Sequence, residues 1–248
     1  MASTSSQRKR PLEVEDQNLI VPEMPQVSRP VSRPAALPSI YDPQPVVTIS
    51  VAKHHSSKTN PEAITFYIHK NFICHHSPFF KAAFNGEFTE GQTQHMNLLD
   101  IEEYVFAIFT NWIYTQKLQN KLGKDIRHFG CLFKLWSVAE RFIMPELQNQ
   151  VIHILHHMVR DIQAYITYLT FSADVRSHGS PISMKLLLDK LAVMDNESMF
   201  RNLSLSLDPE ELLELARLMK ANQVAGRTSM RPVEEYLVAV EGEKGGEK

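Results

Sequence analysis

The stretch FYIHKNFICHHSPFFKAAF, Phe66 to Phe84, decides the fold. It carries three histidines and a cysteine between His69 and His76, followed by a run of aromatics. It therefore poses a choice between a metal or catalytic site and a packing motif. A tetrahedral zinc site needs four ligands with room between them, and adjacent histidines on a helical segment point about 100° apart. The expectation is that His69 is a strand-end residue bonded locally and Cys74 a small apolar group.

Reading outward, Val47, Ile49 and Val51 alternate with Thr48 and Ser50, and Ile64, Phe66 and Ile68 alternate with Thr65 and Tyr67. That period of two predicts a pair of half-buried strands joined by a polar loop containing His54 and His55. After a short helical piece, SPFFKAAFNG predicts a helix of about two turns: Ser77 caps it, Pro78 opens it and Asn85-Gly86 stops it.

A third strand is expected over Gln94 to Leu98. Asp100 and Glu103 then form a capping-box-like pair ahead of a helix with the stripe Ile101, Tyr104, Val105, Ile108, Phe109, Trp112 and Ile113. A second helix has the stripe Leu132, Leu135, Trp136, Ala139, Phe142 and Ile143. Pro145 opens a third, with Leu147, Val151, Ile154, Leu155 and Met158. From Asp161 onward the chain reads as helix throughout. In the last helix Asp208 caps, Pro209 opens, Glu211 completes the box and Leu212, Leu215, Ala216 and Met219 form the expected buried face. The class is α+β.

The 248 residues are 43% hydrophobic and 22% charged, with a formal net charge of −2, which argues against a bulk electrostatic grip on nucleic acid or an anionic membrane. The two cysteines, Cys74 and Cys131, show no disulfide or CxxC spacing and suit a reducing compartment. No stretch has the apolar length of a membrane span or secretion signal, so an intracellular protein is expected, in the nucleus, the cytoplasm or both. Residues 1–43 are proline- and serine-rich and read as a disordered tail; within it Arg8, Lys9 and Arg10 form a basic cluster more in keeping with a solvated tail than an import signal. The expected organisation continues with a domain over 44–158, a helical extension over 159–222 and a charged disordered tail over 223–248.

The ordered set His69-Lys70, Ser77-Pro78-Phe79-Phe80, Gly86 and Glu90, Met96 to Leu99, Ile113-Tyr114-Thr115 and Ala139 to Leu147 (AERFIMPEL) resembles the BTB/POZ domain, over roughly residues 45–158. The helical half with SHGSPISMKLLLD looks like the extension of fungal BTB proteins. The resemblance implies a small mixed sheet flanked by a helical cluster, with His69, Lys70, Ser77, Phe79, Phe80 and Tyr114 as structural motif residues. Two departures stand out. Gln44 and Pro45 occupy the mouth of the first strand, where the family usually has an aspartate and where Asp42 comes slightly early. The preceding region, which in many members carries elements swapped between protomers, is proline-rich here; this weighs against a strand-swapped dimer and leaves a helix-mediated homodimer open.

Members that bind cullin scaffolds carry a hydrophobic-x-Glu motif after the Ser-x-Phe-Phe helix, and Phe88-Thr89-Glu90 matches it by position. The resemblance thus implies a cullin contact in which Phe88 is the buried anchor and Glu90 the polar rim. The alternative is that Phe88 is a partly buried core residue and Glu90 a solvated carboxylate.

His153 and His157 share a helical face at i and i+4, but with His156 they fall opposite the apolar stripe, and no HExxH arrangement accompanies them. Solvated histidines are expected. There is no G-x-S-x-G elbow, P-loop or G-x-G-x-x-G, no basic stripe and no zinc-finger spacing. The reading is a protein–protein interaction module without catalytic residues, cofactor or metal and with no direct nucleic-acid or membrane partner. Its leading form is a substrate adaptor for a cullin-based ubiquitin ligase, although no kelch or MATH-type module is evident. The alternative is an oligomerisation scaffold or transcription-related regulator that binds no cullin.

Overall fold

Alternation of apolar and polar residues builds three strands: β1 (Val46–Ala52), β2 (Ala63–His69) and β3 (His95–Glu102). In the computed structural model of the chain β1 is central, antiparallel to β2 and parallel to β3, giving a mixed sheet in the order β2-β1-β3. The residues described are 38–41, 43–53, 62–162, 165–178, 180–205 and 207–240. The expectations for Arg8 to Arg10, Asp42 and the His54-His55 loop lie outside them.

Val47, Ile49 and Val51 of β1 are fully buried and face helices. The polar residues between them find partners on the other face, where Ser50 bonds Thr65 at 3.0 Å and Thr48 bonds His95 at 2.9 Å. Between β2 and β3 lie α1 (Lys70–His76), α2 (Pro78–Asn85) and α3 (Thr89–Thr93). After β3 come α4 (Glu103–Thr115), α5 (Phe129–Arg141) and α6 (Pro145–Arg160). The chain continues through α7 (Tyr165–His178), α8 (Pro181–Ala192), α9 (Glu197–Ser204) and α10 (Pro209–Ala225) to a 3-10 turn at Val233–Tyr236. The α+β class follows directly from this order.

Ser77 caps α2 as its sequence indicates, accepting a hydrogen bond from the Phe80 N–H at 3.2 Å. The same hydroxyl donates to the Phe142 carbonyl at 2.7 Å, tying the start of α2 to the end of α5. Around this tie Phe80 packs its ring against Phe142 at 4.5 Å, Phe84 at 5.9 Å and Phe109 at 6.1 Å. Burying one such ring stabilises the fold by about 2–3 kcal/mol, and the cluster is part of the domain's continuous core.

Several boundaries differ from the sequence reading. β3 runs on to Glu102, so Ile101 is a strand residue and no Asp100–Glu103 capping box forms; α4 starts at Glu103 with no side-chain cap. Asp100 and Glu102 instead pair with Arg141 and Lys134 of α5. Tertiary ion pairs and strand pairing with β1 outcompete the local cap. α5 stops at Arg141 because Pro145 disfavours helix at Met144. Ile143, at φ +56°, is consequently turned out and 57% exposed rather than part of the stripe. In α6 the core takes Ile152, while Ile154 and Met158 are half-buried. In α10 the capping box forms as expected, but of the expected face only Leu215 is buried; Leu212 and Met219 are each 42% exposed.

The largest difference is at the C-terminus. Residues expected in a solvated tail fold back instead, and Tyr236 is only 3% exposed. Charge composition favours solvation only where the charges lack partners, and here Arg231 has one in Asp189.

Candidate functional site

The corner between α2 and α3 is built from the motif residues. Lys70, at the start of α1, reaches back to donate to the Phe84 carbonyl at 2.8 Å, and Gln94 donates to the same oxygen at 3.1 Å and to Gly91 O at 2.6 Å. These bonds satisfy the Phe84 carbonyl in the last turn of α2 and the Gly91 carbonyl within α3. Gln94 sits at φ +53°, which ends α3 and turns the chain into β3. Gly91 is required sterically: a Cβ there would lie 2.1 Å from the Gly86 carbonyl oxygen.

Held on this corner, Phe88 is the N-cap residue of α3 in extended conformation and is 67% exposed. An aromatic ring left that far in solvent is not a core residue. Glu90, the second residue of α3, is half-buried, and its carboxylate takes no hydrogen bond or ion pair among the described residues. The corner thus offers an apolar ring beside an available acceptor.

The histidine and cysteine stretch has other work. The Tyr114 hydroxyl accepts from the His69 backbone N–H at 2.9 Å and lies 2.9 Å from the ring Nδ1, to which it donates when His69 carries its proton on Nε2. His69 is therefore fixed across the fold to α4 and not locally. His76 accepts from Gln116 at 3.1 Å and packs on Trp112; burial, with His75 beside it, lowers its pKa to about 4. Cys74 is half-buried with its thiol directed at the Phe80 carbonyl, and burial raises its pKa. Burial likewise pushes the Cys131 thiol up to about 11. Both sulfurs stay protonated near neutral pH, the form that neither attacks nor ligates. Among the described residues no group of three or more His, Cys, Asp or Glu is placed to hold a metal ion, and no helix is long and apolar enough to cross a membrane.

Phe79 stacks on Phe142 at 5.3 Å, completing the role of Ser-Pro-Phe-Phe as a core motif rather than a contact surface. The motif residues thus divide into a frame (His69, Lys70, Ser77, Phe79, Phe80, Tyr114) and the corner it supports (Phe88, Glu90).

This arrangement, a three-stranded mixed sheet with helices behind it and a capped aromatic helix leading to the corner, is matched in the sequence. Residues 60–158 match the BTB/POZ domain. The BTB/POZ region has the fold that the resemblance implied, and the helices after it complete an α+β chain. The match identifies a protein-interaction module of a kind that mediates association and dimerisation and is generally not enzymatic. The central strand β1 precedes the matched residues yet pairs with both other strands, so the folded unit begins before the match does.

Sequence reasoning missed one polar cluster. His156, expected in solvent, is half-buried, with Nε2 at 2.8 Å from the Arg231 carbonyl and its ring 5.4 Å from that of Tyr236. No spacing signal could have found it, because the two partners are 75 residues apart and one lay in an apparent tail.

Proposed function

We propose that the chain is an adaptor that docks a cullin-type scaffold through Phe88 and Glu90 and so links a bound target to a ubiquitin ligase. The observation that carries this reading is the 67% exposure of Phe88 on a corner braced by Lys70 and Gln94. Binding would bury the ring in a hydrophobic groove of the scaffold, while Glu90 meets a donor at the rim. Because the frame is braced before binding, little ordering entropy is lost on docking. Affinity capture from the native cell lysate tests it, comparing wild type with Phe88→Ala/Glu90→Ala. The expected result is a cullin in the wild-type capture that the double variant loses; a wild-type capture with no cullin would sink the adaptor reading.

A second reading, an oligomerisation scaffold without a cullin, is favoured by the outer face of the sheet, where Val46 is 44% and Tyr67 72% exposed. It predicts a homodimer by light scattering that Tyr67→Ser weakens.

A further inference from the structure

The C-terminal segment after α10 lies across α6 and α8, and its attachment is chemically specific. Asp189 of α8 is a carboxylate only 3% exposed, and its ion-pair and hydrogen-bond partners come from the segment. Arg231 grips it with both ends of the guanidinium, Nε donating to Oδ2 at 2.9 Å and Nη2 to Oδ1 at 2.7 Å, and the Tyr236 hydroxyl donates to Oδ2 as well. The 3-10 turn at Val233–Tyr236 brings two side chains five positions apart onto one carboxylate.

The helices also read the segment's backbone. Asn149 of α6 makes a reciprocal pair with Val238, donating to its carbonyl at 2.9 Å and accepting from its N–H at 2.7 Å. Lys185 donates to the Glu235 carbonyl at 2.6 Å with its ammonium 4.7 Å from the Tyr236 ring centre. His156 and the Arg231 carbonyl make the last of these bonds. Asn149 and His156 are two turns apart on α6, and Lys185 and Asp189 one turn apart on α8, so each pair lies on a single face.

A surface that takes backbone bonds from Asn149, His156 and Lys185 and holds side chains at one buried acid has the anatomy of a peptide site. A segment that merely closed a core would rest on apolar burial. Here Met230, Val233 and Val238 are only partly buried, and Tyr236 is the single fully enclosed anchor.

We infer that the α6–α8 face is a peptide-recognition site, held closed in cis by residues 230–238, whose ligands in trans are segments presenting an arginine and, five residues later, a tyrosine. The tether keeps the cis segment at a high effective concentration, so a partner peptide gains access only when it is weakened or outcompeted. Gly226, at φ +64°, ends α10 and gives the segment its pivot. This site is separate from the Phe88 corner and does not depend on cullin binding.

The test uses the full chain and a fluorescent peptide of residues 227–240. Arg231→Ala/Tyr236→Ala in the chain should raise its affinity for the wild-type peptide by about tenfold or more over the wild-type chain. Adding Asp189→Asn should abolish that binding. A double variant that keeps its circular dichroism yet does not bind the peptide overturns the inference, as does binding that Asp189→Asn leaves unchanged. If the double variant unfolds, hydrogen exchange on the wild-type chain decides. The amides of Tyr236 and Val238 should exchange about tenfold or more faster than those of Leu186 to Leu188, through local opening; one common rate for both sets would make the segment part of the core and refute a displaceable site.

Discussion

The BTB/POZ region and the C-terminal part of the described chain are held in different ways. In the BTB/POZ region the Ser77 corner is a cluster of phenylalanines with one buried hydroxyl tying α2 to α5. In the C-terminal part, one buried carboxylate, Asp189, gathers an arginine and a tyrosine from a segment whose one fully buried apolar residue is that tyrosine, with Met230, Val233 and Val238 only partly buried. The first is held chiefly by area and shape, which are non-directional and sum over many contacts; the second relies more on a few directional bonds. The first should therefore fail globally when damaged, and the second locally.

The largest expected effect is on the aromatic side. Phe80→Ala should cost about 3–5 kcal/mol, through lost burial and the cavity left behind, read as a lower midpoint in denaturant for the whole chain. A loss below about 1 kcal/mol would mean that the ring is not a packed part of the core. On the polar side, Asp189→Ala should cost about 2–4 kcal/mol because it leaves the Tyr236 hydroxyl unpaired and Arg231 with only its longer contact to Glu235 at 3.8 Å. Its signature is different: limited proteolysis should cut within residues 226–240 while the BTB/POZ region stays intact.

Smaller effects sharpen the contrast. Ser77→Ala removes both the helix cap and the bond to Phe142, for about 1–2 kcal/mol, measured by thermal melting. Acid should act on the same half through His76. Its folded pKa of about 4 lies below the ordinary 6.5, so the unfolded chain takes up the proton first. Stability contributed by this group is full above pH 6.5, falls between pH 6.5 and 4, and levels off below. The loss should be on the order of 1–2 kcal/mol, given a half-buried ring partly screened by solvent, and His76→Gln should flatten that part of the pH profile. Smallest of all, Phe88→Ala should shift stability by less than about 0.5 kcal/mol, since the ring is largely in solvent. A capture partner lost without a change in melting would mark Phe88 as a contact and not a support.

How much could be read beforehand follows the same division. Strands β1 and β2, the Ser77 cap, the Pro145 start of α6 and the Asp208 capping box were legible because each rests on residues within a few positions of one another. The length of β3 was not, because its last residues are held by pairing with β1 and by ion pairs to α5. The buried face of α10 was overstated because the periodic stripe shows which side is apolar, not whether anything covers it. At the candidate site the positions of Phe88 and Glu90 were legible, while the exposure of one and the bracing of both by Lys70 and Gln94 were not.

By itself the sequence determined the local grammar: alternation, caps, stops, and the motif order that identifies a BTB/POZ region, since these follow from backbone sterics and from neighbours along the chain. Only the tertiary structure decided what the polar residues do. His69 could not show its bond to Tyr114, nor Asp189 its grip on Arg231, because those partners lie 45 and 42 residues away and are chosen by packing, which brings distant groups into a medium where an unpaired polar atom is costly.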